Sequence, residues 1–195
     1  MSLPPYPKNA PPMPESVQKL PTFQGWPVPW FVEEPPEGHE YDLRVVSEAK
    51  RRRAMDYRLC GICGGEIPDP GWVAFIGGNL SVQNRLFSDP GSHEECARYA
   101  AKVCPYLAGT MRQHTDVDPE KYEATGKLIK QVLMVERPDR MAIYCVTKYE
   151  QVMVRTPEGK QLLIQVPKKP RKLDWDIMPE SSKWAPIGTK LDGTR

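Results

Sequence analysis

No apolar run in this 195-residue chain approaches the ~20 residues that a membrane-crossing helix requires. The opening residues, MSLPPYPKNAPP, lack the apolar centre of a secretory leader. The cytoplasm is therefore the expected compartment, and no membrane partner is expected. Disulfides are rare where thiols are kept reduced, and the five cysteines form an odd set that closed pairing cannot use in full. Histidine is scarcer, at three, and none lies between residues 64 and 92. No glycine-rich phosphate loop is present, FIGGN at 75–79 being too short for one. No serine or cysteine stands in a recognisable pattern with a base. Net charge is only +2, too small by itself to imply a polyanionic partner.

What is abundant is proline. Eleven of 22 fall in the first 36 residues. Proline fixes φ and lacks a backbone donor, so residues 1–24 are expected to be an extended or disordered arm that forms neither helix nor interior strand. The rest divides into a cysteine-bearing module at 25–110, a polar linker at 111–127 with a short helix begun by Asp118 and Pro119, a β-rich region at 128–178, and a loose tail at 179–195.

Within the module, SEAKRRRAMDYRL at 47–59 reads as a helix with Ser47 as N-cap and Glu48 in its first turn. The runs WVAFIGG and LSVQNRLF, set among glycines and prolines, read as a loose hairpin. SHEECARYAAKVCP at 92–105 reads as a helix opened by a Ser92–Glu95 capping box and ended by Pro105. QVLMVE, MAIYCVT, QVMVRT and QLLIQV predict strands, the last two joined by a turn with Gly159 at positive φ. The expected class is α+β: a small treble-clef-like zinc module followed by a small antiparallel sheet.

The cysteines carry the chemistry. Cys60, Cys63, His93 and Cys96 form C-x2-C-x29-H-x2-C. A C-x2-C turn followed by glycine lets two thiolates converge on one ion. Positions i and i+3 on a first helical turn share a face and supply two more ligands. The positive end of that helix also favours thiolate anions. A structural Zn2+ is therefore the expected cofactor. A redox pair is disfavoured because Gly64 and Gly65 after Cys63 discourage the helix that would lower a thiol pKa. Ordinary buried cysteines beside a core histidine remain the bland alternative. Cys104 lies eight residues beyond Cys96, about 12 Å along a helix, and reads as core, as does Cys145.

Four ligands close a zinc site, whereas catalytic zinc keeps a position open, so no enzyme and no catalytic residue is expected. A zinc deaminase would need H-x-E before P-C-x-x-C, and here the order is reversed. The nearest enzymatic reading is a ββα-metal nuclease. Those enzymes place a histidine on the hairpin between the ligand pairs, where this chain has none.

The ordered segments GWPVPWF at 25–31, DLRVV at 42–46, RLCGICGGEI at 58–67 and AFIGGNLSVQNRLFSDPGSHEECARYAAKVCPYL at 74–107 resemble a family of small uncharacterised proteins carried by phages and by actinobacterial or proteobacterial genomes. Its pattern runs PVPWFV, LCxxCG, a GP-like turn, NR, PPSH, CA and CPFL. This chain has Gly-Asn at 78–79 where relatives often have Gly-Pro. The resemblance implies that Cys60, Cys63, His93 and Cys96 form a metal site and that PVPWF belongs to the folded unit. It implies no activity.

Two features bear on partners. Trp26, Trp30 and Phe31 flank Pro27 and Pro29, and can serve a proline-recognising protein partner or fold back on their own domain, the commoner fate of large aromatics. Two basic clusters, Lys50, Arg51, Arg52 and Arg53, then Lys168, Lys169, Arg171 and Lys172, are candidates for nucleic-acid contact, although most such runs are solvated faces. The expected function is a non-enzymatic, zinc-stabilised adaptor of phage or mobile-element origin that binds a protein. Nucleic-acid binding or processing is the alternative.

Overall fold

The structure, a computed structural model, describes residues 3–107, 129–130, 140–156 and 159–175. The expected linker at 111–127, the strand at 131–136 and the tail at 179–195 lie outside the described residues. In chain order the elements are α1 (Glu15–Gln18), β1 (Thr22–Phe23), β2 (Trp26–Pro27), β3 (Val46–Ser47), α2 (Glu48–Asp56), β4 (Val73–Gly78), α3 (Asn79–Asn84), β5 (Leu86–Phe87), α4 (Glu94–Val103), β6 (Ile129–Lys130), β7 (Met141–Val146), β8 (Glu150–Thr156), β9 (Gly159–Gln165) and β10 (Lys172–Trp175). The fold is mixed helix and sheet, and among the described residues every strand pairing is antiparallel.

MAIYCV is apolar without a break, and β7 is accordingly buried at all its residues, with β10 on one side and β4 on the other. Strand alternation then sorts two cores. Ala74 on β4, with Ile143 and Cys145 on β7, faces Ala97 and Ala101 of α4, where small side chains let the helix approach the sheet. Val73 and Phe75, with Tyr144 and Val146, face the other way into the larger core. There Phe75 meets Phe87 at 5.4 Å and Tyr149 at 5.3 Å between ring centroids. Phe87 and Ile164 are cross-strand partners in the second sheet, of order β5-β9-β8. Burying one such Phe or Ile contributes roughly 1.5–3 kcal/mol, so this inter-sheet layer is a main source of stability. Because β4 pairs with β7 from Val73↔Val146 to Gly78↔Met141, the cysteine-bearing segment and the β-rich third share one sheet.

The helix begun at Ser47 forms, although it ends at Asp56, short of the Leu59 that the sequence suggests, because Arg58 turns to positive φ. Ser47 caps α2 by accepting from the Lys50 amide at 3.5 Å, and Glu48 lies in the first turn. The β8–β9 hairpin also forms, closing at Thr156↔Gly159 with Gly159 at φ +126°.

Three expectations are corrected. The segment from Trp72 to Phe87 is not a hairpin: β4 pairs with β7, β5 pairs with β9, and NLSVQN between them turns into α3. Gly77 permits this, since a Cβ there would lie 2.7 Å from both Phe87 and Ser81. The Ser92–Glu95 capping box is also absent. His93 holds the N-cap position with no side-chain cap bond, and Ser92 is occupied by two 2.9 Å backbone bonds with Ala74.

The proline-rich arm, finally, is ordered. α1 starts directly after Pro14, whose carbonyl accepts from Val17 and Gln18 at 2.9 and 3.1 Å. Proline is tolerated at a helix start because the first amides have no intrahelical partner anyway. The residues between the prolines supply burial. Val17 is 1% exposed, Tyr6 sits edge-on to Trp26 at 5.0 Å, and Trp26 Nε1 donates to the Pro4 carbonyl at 2.9 Å.

Candidate metal centre

α2 ends at Asp56, and Arg58, at φ +53°, turns the chain into the first cysteine pair. Leu59 and Glu66 bridge across the turn, the Cys60 amide donates to the Gly65 carbonyl at 2.8 Å, and the Gly64 amide donates to the Cys60 carbonyl at 2.7 Å. This knuckle requires Gly64 at φ +76°. A side chain there would also meet the Trp30 ring, 2.7 Å from the position of its Cβ.

The second pair arrives through residues 90–92. The Gly61 amide donates to the Gly91 carbonyl at 2.9 Å, and an added Cβ on Gly61 would lie 2.7 Å from Pro90. With Ser92 bridged to Ala74 of β4, His93 and Cys96 on the first turn of α4 are brought over the knuckle.

The four donor atoms of Cys60, Cys63, His93 and Cys96 all lie within 4.8 Å of one another, an arrangement that can hold a metal ion. His93 Nδ1 is 3.4 Å from Cys63 Sγ and 3.9 Å from Cys96 Sγ. Zinc bonded tetrahedrally to sulfur and nitrogen at its usual lengths separates those two atoms by about 3.6 Å, and two sulfurs by about 3.8 Å. The two sulfur–nitrogen separations lie near that first value, and the cluster could hold a metal ion.

His93 Nε2 lies 2.9 Å from the Glu66 carbonyl. A carbonyl only accepts, so the ring proton is on Nε2 and the Nδ1 lone pair faces the sulfurs. Cys60 Sγ accepts from the Cys63 and His93 amides at 3.5 and 3.4 Å. Hydrogen bonds from Cys60 and then Cys96 hold the Cys63 thiol far below its ordinary range. Those same bonds push Cys60 and Cys96 up, through Cys63 for the first and through Cys60 and then Cys63 for the second.

Neither remaining cysteine joins the cluster, and all five are free. Cys145 is fully buried against α4, and burial pushes its thiol up to about 11. Burial likewise raises Cys104, at the C-cap of α4.

The aromatic arm folds onto its own domain. Trp26 is 3% exposed, which withdraws it from any partner. Trp30 and Phe31 are half-buried, and their amides donate to the Ile62 and Gly61 carbonyls at 2.8 and 3.1 Å, clipping PVPWF to the knuckle.

The first basic cluster is not a single cationic face. Arg51 is 3% exposed, pairs with Glu48 at 2.6 Å, and donates to the Ser88 and Leu162 carbonyls at 2.8 and 3.2 Å. Lys50 binds the Val32 carbonyl and Glu34, and Arg52 pairs with Asp56. Arg53 is exposed. In the second cluster Lys168, Lys169 and Arg171 are exposed, while Lys172 pairs with Glu94 at 2.8 Å.

Sequence reasoning passes over three contributors to the centre: the Glu66 carbonyl, the Trp30 ring and Ser16, whose Oγ lies 3.5 Å from Cys96 Sγ. The glycine pair after Cys63 marks the knuckle, but nothing local marks contacts made from 27 to 80 residues away. Comparison with protein families, characterised proteins and solved structures finds no match, so the functional reading rests on the geometry of this cluster.

Proposed function

We propose that this chain is a non-enzymatic adaptor that binds a protein partner, with a fold held by one structural zinc ion on Cys60, Cys63, His93 and Cys96. The convergence of four soft or borderline donors within 4.8 Å is the observation that carries this reading. Four protein ligands leave no coordination position for substrate or activated water. A knuckle followed by a helix whose first turn completes the site is the ligand arrangement of a treble clef, although β4, between the pairs, is laddered to β7 instead of sitting in a hairpin.

Zinc binding in finger peptides is worth on the order of 10–16 kcal/mol in apparent terms at neutral pH. A whole domain is stable by only about 5–15 kcal/mol. Metal occupancy therefore decides whether this chain is folded. Among the described residues, the exposed large apolar side chains Tyr57, Trp72, Leu80 and Met153 offer contacts for a partner. The test is metal content per chain after purification without added metal: about one zinc is expected, and a metal-free folded chain overturns the reading.

Nucleic-acid binding is the second reading, favoured by the exposure of Lys168, Lys169 and Arg171. Retention on heparin across a salt series separates the two, since phosphate-like contacts weaken steeply with salt.

A further inference from the structure

Three thiolates and a neutral imidazole around Zn2+ leave the centre with a net negative charge, which donors to the sulfurs offset. Cys60 has the amides of Cys63 and His93, and Cys63 has the amide of Gly65 together with the Ser16 hydroxyl. Cys96 is supplied differently. Among the described residues, the donor to its sulfur from outside the ligand set is the hydroxyl of Ser16, at 3.5 Å and 80 residues away.

Ser16 does not stand alone. The next residue, Val17, is 1% exposed in the core cluster that contains Cys60 and Cys96. One turn along α4 from Cys96, the Tyr99 hydroxyl is hydrogen-bonded to that of Tyr6. Positions i and i+3 share a helix face. The N-terminal segment therefore grips one face of α4 at two points, and one of these is a metal ligand.

From this we infer that Ser16 is a positioning residue of the metal centre, its hydroxyl donating to the Cys96 thiolate, and that the segment from Leu3 to Val28 is docked by the loaded site. The inference rests on the zinc reading above. Coupling of this kind is reciprocal: if the metal favours the docked segment, the docked segment tightens the metal by the same factor. Loss of an outer-sphere partner typically weakens metal affinity by about 10–100-fold.

The experiment compares the full-length chain with Ser16→Ala and Ser16→Thr. Zinc affinity is measured by chelator competition, the thiolate-to-cobalt charge-transfer band of the Co2+-loaded protein is recorded, and amide exchange is followed at saturating zinc. Ser16→Ala is expected to bind zinc about 10–100-fold more weakly and to shift the cobalt band. It should also speed exchange at the Ala10, Val17, Leu20 and Val28 amides while leaving Met141–Val146 unchanged. Ser16→Thr keeps the hydroxyl and is expected to restore affinity and spectrum. A wild-type chain that takes up no metal overturns the site and this inference together. A wild-type chain that loads normally, alongside a Ser16→Ala variant with the same affinity, band and exchange, overturns this inference alone.

Discussion

His93 Nε2 and the Glu66 carbonyl are 2.9 Å apart, which joins the N-cap of α4 to the cysteine knuckle independently of any metal. The bond fixes the tautomer and aims Nδ1 at the sulfurs. The orientation of one of the four ligands is thus set by a backbone carbonyl, which a substitution at Glu66 leaves in place.

Replacing a sulfur ligand is therefore expected to abolish metal retention and not merely to loosen it. In Cys60→Ser a harder, neutral oxygen on a shorter arm stands where the sulfur ligand was, and the Cys63 and His93 amides are left with a weaker, more distant acceptor. Unfolding should spread beyond the module, because β4 is laddered to β7. Expected results are less than a tenth of the wild-type metal content and loss of slow amide exchange at Met141–Val146. A folded Cys60→Ser chain carrying a full equivalent of zinc contradicts the ligand assignment.

Zinc uptake should release protons. In the metal-free pocket hydrogen bonding with Cys63 raises the Cys60 thiol, and hydrogen bonding with Cys60 and then Cys63 raises the Cys96 thiol, so both favour the protonated form. Each must lose its proton to bind metal, and an unfolded chain with ordinary thiols near pKa 8.5 expels nearly three on binding at pH 7. In either case protons compete with metal, so affinity falls as pH falls, by about 100-fold or more per unit below neutrality. Calorimetry in buffers of different ionisation enthalpy counts the protons. Release of fewer than one is incompatible with a three-thiol site.

Gly64→Ala should be costly for two separable reasons. Its φ of +76° is a left-handed conformation that costs an L-residue about 1–2 kcal/mol. The added Cβ also falls 2.7 Å from the Trp30 ring, an overpacking that typically costs about 1–3 kcal/mol. Denaturant titration of the zinc-loaded protein is expected to show a total loss of about 2–5 kcal/mol. In a Trp30→Ala background only the backbone part should remain, and a double-mutant cycle separates the two.

The sequence showed its local chemistry and hid its long-range pairing. Cys60, Cys63, His93 and Cys96 were legible because two short ligand spacings each have a local geometry, and α2 was legible because Ser47 caps within three residues. The hairpin expected from WVAFIGG and LSVQNRLF failed because β4 found β7 about 70 residues away, a choice set by burial on both faces and not by turn residues. The arm expected to be disordered is packed because proline counts say nothing of Tyr6, Val17 and Trp26 between the prolines. Ser92 had the spacing of a cap, but its backbone was taken by Ala74.

Arg51 tests how the basic clusters are used. Its guanidinium is buried and holds Glu48 on α2 together with the Ser88 and Leu162 carbonyls, joining the helix to both loop and sheet. Removing one partner of a buried pair costs about 3–5 kcal/mol, and the partial exposure of Glu48 places Arg51→Ala near the lower end, about 3 kcal/mol. Arg51→Lys should recover little of this, because an ammonium lacks the planar fork that spans both carbonyls and the carboxylate. Heparin retention gives the complementary readout. A protein-binding adaptor is expected to pass through at ~50 mM salt. If the wild type is instead retained, and Lys168→Glu with Lys169→Glu abolishes retention at unchanged stability, the exposed second cluster is a polyanion site and the nucleic-acid reading replaces the adaptor.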